Sequence, residues 1–248
     1  MDQRGQFTAS DMANSLHSWW ELAGVDCAVG DETVNWVTLD AKLEIAAPPP
    51  NKPEHLTELA AKTKIEWPNE IEGLRTMIAT GAALPSNAFG NRHIAPVGPS
   101  NASLMIISDL PDGDEVATGK LGSGATGKLL ARMMAAIGVD LADCYWTALA
   151  TTIPATGELP DSALPDLADF TRHQTDLIEP KRIVVLGSST CRALLGLDLM
   201  EARQNLQYIN YVGGKKAVLT TFHPRTLLAR PQMKAQAWKD LQMFVKDI

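Results

Sequence analysis

From residue 101 onwards, apolar positions follow two alternating periods. Short unbroken runs at 104–107 (LMII) and 182–186 (RIVVL) predict strands buried on both faces, and residues 145–150 and 217–221 read the same way. Between and after them, residues 124–137, 162–178, 190–195 and 232–245 place apolar side chains at helical spacing. The order is β-α-β-α-β-α-β-α. It predicts an α/β domain, a mainly parallel four-stranded sheet with helices on both faces. Ligands of such sheets sit beyond the carboxyl ends of the strands, so the loops at 108–123, 151–160, 187–190 and 222–226 are expected to carry the chemistry.

The first 95 residues have no such alternation. Leu16, Trp19, Trp20 and Ala23 recur at helical spacing and predict an amphipathic helix with the tryptophans in a core or interface. Pro48, Pro49, Pro50 and Pro53 then mark a linker, and residues 70–80 predict a second helix that stops at Gly81. The sequence therefore divides into a helical and loop-rich N-terminal extension, residues 1–95, and a domain, residues 96–248.

Composition narrows the classes. The 248 residues are 45% hydrophobic and 21% charged, as in ordinary globular proteins. There is no apolar run of the ~20 residues that a membrane helix needs, and the N-terminus lacks the basic-then-apolar pattern of an export signal, so a cytoplasmic location and no membrane partner are expected. Cys27, Cys144 and Cys191 are scattered without CxxC spacing, which argues against a disulfide framework, a zinc knuckle or a cysteine-held iron–sulfur cluster. No metal or cofactor is expected. Charge is uneven. Lys and Arg number seven against thirteen Asp and Glu in residues 1–100, seven against thirteen in 101–199, and eight against three in 200–248. A basic tail on an acidic protein can hold phosphate where its cations are focused at one place.

Two of the loops carry distinctive residues. The first holds Asp109, Asp112, Asp114 and Glu115, then a glycine-rich stretch from Gly119 to Lys128. Gly122, Gly124 and Gly127 spell GxGxxG, and Gly122 with Gly127-Lys128 spells GxxxxGK, but Leu129 stands where a P-loop needs Ser or Thr. Neither signature follows a strand directly, so close backbone packing is the competing explanation for these glycines. The last loop holds Phe222-His223-Pro224-Arg225 after a strand. There a histidine at a strand end is fixed by a proline, with Arg225 and Arg230 nearby. His17, His55, His93 and His173 lack that context and read as surface or capping residues.

A strand, an acidic loop, a glycine-rich helix start, Tyr145-Trp-Thr-Ala148, RIVVLG and Phe222-His-Pro-Arg225 occur in this order. The set resembles the uracil-DNA glycosylase superfamily, especially its thermophile-type, family 4-like branch with its GEAPG…ED…G-x-PFVG-x-AG-x-LL pattern. Ile107-Ser-Asp-Leu-Pro-Asp112 stands at the GEAPG turn and Gly119 to Leu130 at the glycine-rich block. The resemblance spans about residues 100–248 and implies that family's three-layer fold. It also implies DNA as the partner and hydrolysis of the bond between a base and its sugar.

Residue by residue, the resemblance places the family's water-positioning acid on Asp109 and its catalytic histidine on His223. The aromatic residue that stacks on the extruded base falls on Gly122, and the asparagine that reads the uracil edge falls on Ala148. Ser188, Ser189, Arg225 and Arg230 are left to hold flanking phosphates or other parts of the DNA. The family's four cluster-binding cysteines are absent. The leading expectation is a glycosylase-like enzyme acting on uracil or another damaged base, weakened or altered in specificity. The alternatives are a non-catalytic member of the fold that binds nucleic acid, or a protein partner through its N-terminal region, and a nucleotide-binding protein that uses residues 122–128.

Overall fold

The structure is a computed structural model that describes residues 66–211 and 214–246. The expected N-terminal helix with Trp19 and Trp20, the proline linker, Cys27, His17 and His55 lie outside the described residues. Five strands form one sheet: β1 (Leu104–Ser108), β2 (Tyr145–Ala148), β3 (Arg182–Leu186), β4 (Gln207–Tyr211) and β5 (Gly214–Thr221). Their spatial order is β2-β1-β3-β5-β4. All neighbours run parallel except β4, which pairs antiparallel with β5 at the edge. The expected mainly parallel α/β architecture is therefore present, with a fifth strand added. Gln207–Tyr211 alternates half-buried and exposed positions, so it has no apolar run to betray it in the sequence.

The run LMII is apolar throughout because both of its faces are covered. Leu104 and Ile106 point into a core with Trp146, Val184 and Leu219, whereas Met105 and Ile107 point into a second core with Tyr145, Ile183, Val185 and Val218. Three longer helices cap these faces in part: α3 (Gly124–Ala135) and α8 (Lys234–Lys246) supply Leu130, Met134, Leu241 and Phe244 to the first core, and α4 (Leu164–Ile178) supplies Ala168 and Ile178 to the second. Cys191 and Leu194 of α5 (Ser188–Leu195) complete that second core. Shorter helices α2 (Gly113–Thr118), α6 (Leu199–Ala202) and α7 (Pro224–Ala229) lie in connections read as loops in the sequence. None of the helices among the described residues is long and apolar enough to cross a membrane.

Residues 66–97 belong to the same compact unit as the sheet. Helix α1 (Ile71–Thr80) buries Ile71, Leu74 and Ile78, the i, i+3, i+7 face of the helix expected at residues 70–80. Leu74 and Ile78 meet Phe170 of α4, and the Trp67 ring stands edge-on to Phe170 with centroids 5.1 Å apart. Farther along, Val97 exchanges backbone hydrogen bonds with Trp146 of β2, covering that strand's free edge. Residues 66–97 are thus packed on the sheet domain. Phe170→Ala should cost about 3–5 kcal/mol, the loss for a buried aromatic ring. Urea denaturation is expected to show one cooperative transition at lower midpoint, with tryptophan and far-ultraviolet signals still coincident.

Candidate active site

The carboxyl ends of β1, β3 and β5 lie side by side in the sheet, and a residue just beyond each strand enters one cluster. Asp109 follows β1, Gly187 follows β3, and His223 stands two residues after β5. His223 Nε2 lies 3.5 Å from Asp109 Oδ1. The separation is an electrostatic contact rather than a hydrogen bond. Gly187, at φ 93°, provides the floor: a Cβ there would lie 3.4 Å from Asp109 Oδ2 and 3.6 Å from His223 Cβ. Those are ordinary contact distances; glycine is required there by the backbone, whose positive φ other residues rarely adopt.

His223 is held in one protonation pattern. It caps α7, where its Nδ1 accepts the backbone N–H of Arg225 at 3.2 Å, and Pro224 fixes the first helical turn. A nitrogen that accepts carries no proton, so the neutral ring keeps its proton on Nε2 and presents it toward Asp109. Burial, with 3% of the residue exposed, pushes the imidazole pKa below its ordinary value, and the Asp109 carboxylate only partly opposes that.

Arg225 joins two acids across the same space. One guanidinium nitrogen donates to both oxygens of Asp109 at 2.9 Å, and the other donates to Asp112 at 2.6 Å. Burial works against the arginine's charge, yet Asp109 and Asp112 outweigh it and raise its pKa. Asp109 also accepts the Leu110 amide at 2.7 Å. Beside this cluster opens a cavity of about 580 Å³, large enough for a nucleotide-sized ligand. Its walls include Asp109, Asp112 and Arg225, with Ser189 and Arg192 from α5 and Glu158 from the loop after β2. All four expected loops thus reach one cavity. Of the residues assigned to phosphate, Ser189 and Arg225 line it; Ser188 is exposed at the start of α5 and Arg230 is exposed after α7, neither in the lining.

The glycine-rich loop is governed by packing. Buried Glu115 accepts the amides of Asp112 at 2.8 Å and Gly122 at 2.6 Å, and its burial raises its pKa against the pull of those amides. A carboxylate therefore already occupies the Gly122 amide that a phosphate would use. A Cβ on Gly127 would lie 1.9 Å from the Gly122 carbonyl oxygen, which demands glycine on contact grounds alone. Gly122 itself, at φ 83°, lies against the indole of Trp146: a Cβ would come within 2.9 Å of its ring. Trp146 is 2% exposed and donates through Nε1 to Ser108 Oγ at 3.2 Å. Ala148, two residues on, is buried as well, on the same side of β2 by strand alternation. Neither Gly122 nor Ala148 lines the cavity.

A family model of the uracil DNA glycosylase superfamily matches residues 95–242. The chain belongs to that superfamily. Among its relatives are the type-4 uracil-DNA glycosylase of Pyrobaculum aerophilum, 24% identical over 71% of this chain and 93% of that protein, and that of Archaeoglobus fulgidus, 27% identical over 60% and 79%. The type-4 uracil-DNA glycosylase of Thermotoga maritima is 28% identical over 56% of this chain and 73% of its own. The cysteines among the described residues, Cys144 and Cys191, do not fit an iron–sulfur cluster. Cys144 and Cys191 sit in different cores, and burial pushes their thiols up to about 11 and about 12, away from the thiolate that ligates metal. Among the described residues no three His, Cys, Asp or Glu side chains converge to hold a metal ion.

The buried neutral imidazole makes stability depend on pH. Below about pH 6.5, the ordinary histidine value, the unfolded chain takes up a proton that folded His223 resists, so stability is full above that value and falls with pH below it. His223→Gln is expected to flatten this loss between about pH 7 and pH 5 in urea titrations, even if it lowers stability at neutral pH. Equal slopes for the two proteins would contradict a neutral His223.

Proposed function

We propose that this chain is a base-excision N-glycosylase that hydrolyses the bond between deoxyribose and uracil, or another altered base, in DNA. The observation that carries the reading is the approach of His223 to Asp109 at 3.5 Å beside a nucleotide-sized cavity. Membership of the superfamily and the names of its relatives support the reaction class and the DNA substrate.

The chemistry follows from the two groups. Cleavage builds positive charge on the sugar and negative charge on the departing base. Asp109, as a carboxylate, stabilises the sugar cation and orients the water that attacks it. His223 donates its Nε2 proton in a hydrogen bond to the base oxygen where negative charge collects, and it does so as the neutral ring. The base must first leave the DNA stack, which costs a few kcal/mol. Phosphates flanking it are held by Arg225 and Ser189 at the cavity, with Ser188 and Arg230 farther out.

Specificity is altered relative to uracil readers. Gly122 offers no ring for stacking, a loss of about 1–3 kcal/mol of base affinity. Ala148 has no amide to read the base edge, and such a contact accounts for several orders of magnitude in discrimination. Trp146 fills the side of Gly122 that a ring would need. A second reading, a non-catalytic DNA-binding member of the fold, draws on Arg225, which occupies both oxygens of Asp109 in the free protein.

Single- and double-stranded oligonucleotides carrying uracil, hypoxanthine or xanthine, treated with alkali after incubation, separate these readings. Wild type is expected to leave abasic sites, and Asp109→Asn and His223→Ala to cut the rate by about 10²–10⁴-fold. Cleavage retained by both variants would refute the assignment of the two groups. DNA binding with no cleavage of any lesion would establish the second reading.

A further inference from the structure

Behind His223 lies a buried ion pair that no step above uses. Arg203 follows α6 and Asp240 lies on α8, with side chains 8% and 4% exposed. Arg203 Nε donates to Asp240 Oδ2 at 2.7 Å and a second guanidinium nitrogen donates to Oδ1 at 3.0 Å, a two-pronged fork. Asp240 Oδ2 also accepts the Thr221 hydroxyl at 2.7 Å. The guanidinium carbon stands 3.8 Å from the centre of the Phe222 ring. The last residue of β5 and the residue after it are therefore both gripped by one ion pair, and the next residue is His223.

We infer that Arg203 and Asp240 are positioning residues for His223, setting the rate of the glycosylase reaction on whose assignment this inference rests. Stability alone is a poor reason for the pair. Desolvation of two buried charges roughly cancels their attraction, and hydrocarbon of equal volume would join β5 to the two helices as well. The fork supplies direction instead. It fixes the guanidinium plane against Phe222 and the carboxylate against Thr221, so the chain enters His223 along one path. Pro224 and the helix cap hold the other side. His223 Nε2 must meet a base oxygen within hydrogen-bonding distance, and misplacement by ~1 Å from a distant substitution can cost ~10²-fold in rate.

The test uses the full chain with Arg203→Met, Arg203→Lys and Thr221→Val. Two readouts are taken below each variant's melting temperature: steady-state excision on a lesion-bearing oligonucleotide, and the ¹⁵N resonances of the His223 ring. Arg203→Met is expected to lower kcat by about 10- to 100-fold with KM within about threefold of wild type. Arg203→Lys should recover part of that rate. The His223 signals should shift or broaden in the impaired variants while those of His93 and His173 stay in place. Where Arg203→Met fails to fold, Thr221→Val, which removes one hydroxyl, carries both measurements. Wild-type kcat and unchanged His223 resonances in variants that merely melt earlier would overturn the inference, as would a change confined to KM. A wild type inert on every lesion would count against the glycosylase assignment alone, and the ring resonances would then decide the positioning role.

Discussion

Burial of both faces of β1, of β3 and of the carboxyl half of β5 is the constraint from which the site follows. A strand with apolar side chains above and below must sit inside a sheet covered by helices, and the crossover connections that carry those helices let β1, β2, β3 and β5 run parallel. Parallel strands end on the same side. Asp109, Gly187 and His223 lie 114 positions apart in sequence from first to last, yet the sheet order places their strands as successive neighbours. The site thus needs no dedicated scaffold beyond the core that stabilises the fold. Full burial of each Ile, Leu or Val side chain there contributes roughly 1.5–3 kcal/mol, which lets the ends of the strands hold charge in unfavourable surroundings.

Within that frame the electrostatics select the protonation states. His223 is buried near a carboxylate, which favours the imidazolium, and near Arg225, which opposes it. Burial and the backbone N–H directed at Nδ1 keep the ring neutral. Asp109 and Asp112 are two acids in one corner, and the single guanidinium of Arg225 relieves their repulsion. The arginine's own position, two residues after His223, couples the relief to the histidine's cap. One turn of chain therefore supplies the hydrogen-bond donor of the site, its orientation and the counter-charge of its acid. Under the proposed function, a phosphate held by Arg225 would compete with Asp109 for that counter-charge, so polyanion binding and liberation of the carboxylate would draw on the same guanidinium.

Much of this was legible in the sequence because burial and strand ends write strong signals. RIVVL gives β3 with the bounds 182–186 that the structure has, and His223-Pro224 after a strand announces a fixed side chain. Family resemblance singles out Asp109, but its pairing with Arg225 has no signal in the sequence, since nothing in a spacing of 116 residues reports an ion pair. Glu115 and Gly187 were illegible for different reasons. Glu115 looks like one more acid in a solvated loop, although the amides of Asp112 and Gly122 make it the buried tie of that loop. Gly187 serves through a backbone conformation, φ 93°, that a sequence does not display. Edge strand β4 and helices α2 and α7 are too short or too polar for periodicity to detect.

Gly122 and Trp146 form one packing solution. A ring at position 122 would require a side chain at φ 83° and would drive its Cβ to 2.9 Å from the Trp146 indole. The indole in turn is anchored by Ser108, the last residue of β1, one place before Asp109. Removing Trp146 to admit a ring would leave that hydroxyl without its donor and open a void in the first core, where a buried aromatic is worth about 3–5 kcal/mol. A stacking ring at 122 and a tryptophan at 146 are therefore mutually exclusive on this backbone. A single exchange at either position therefore cannot place a ring at 122, because the loop conformation, the indole and the end of β1 that leads into Asp109 must change together.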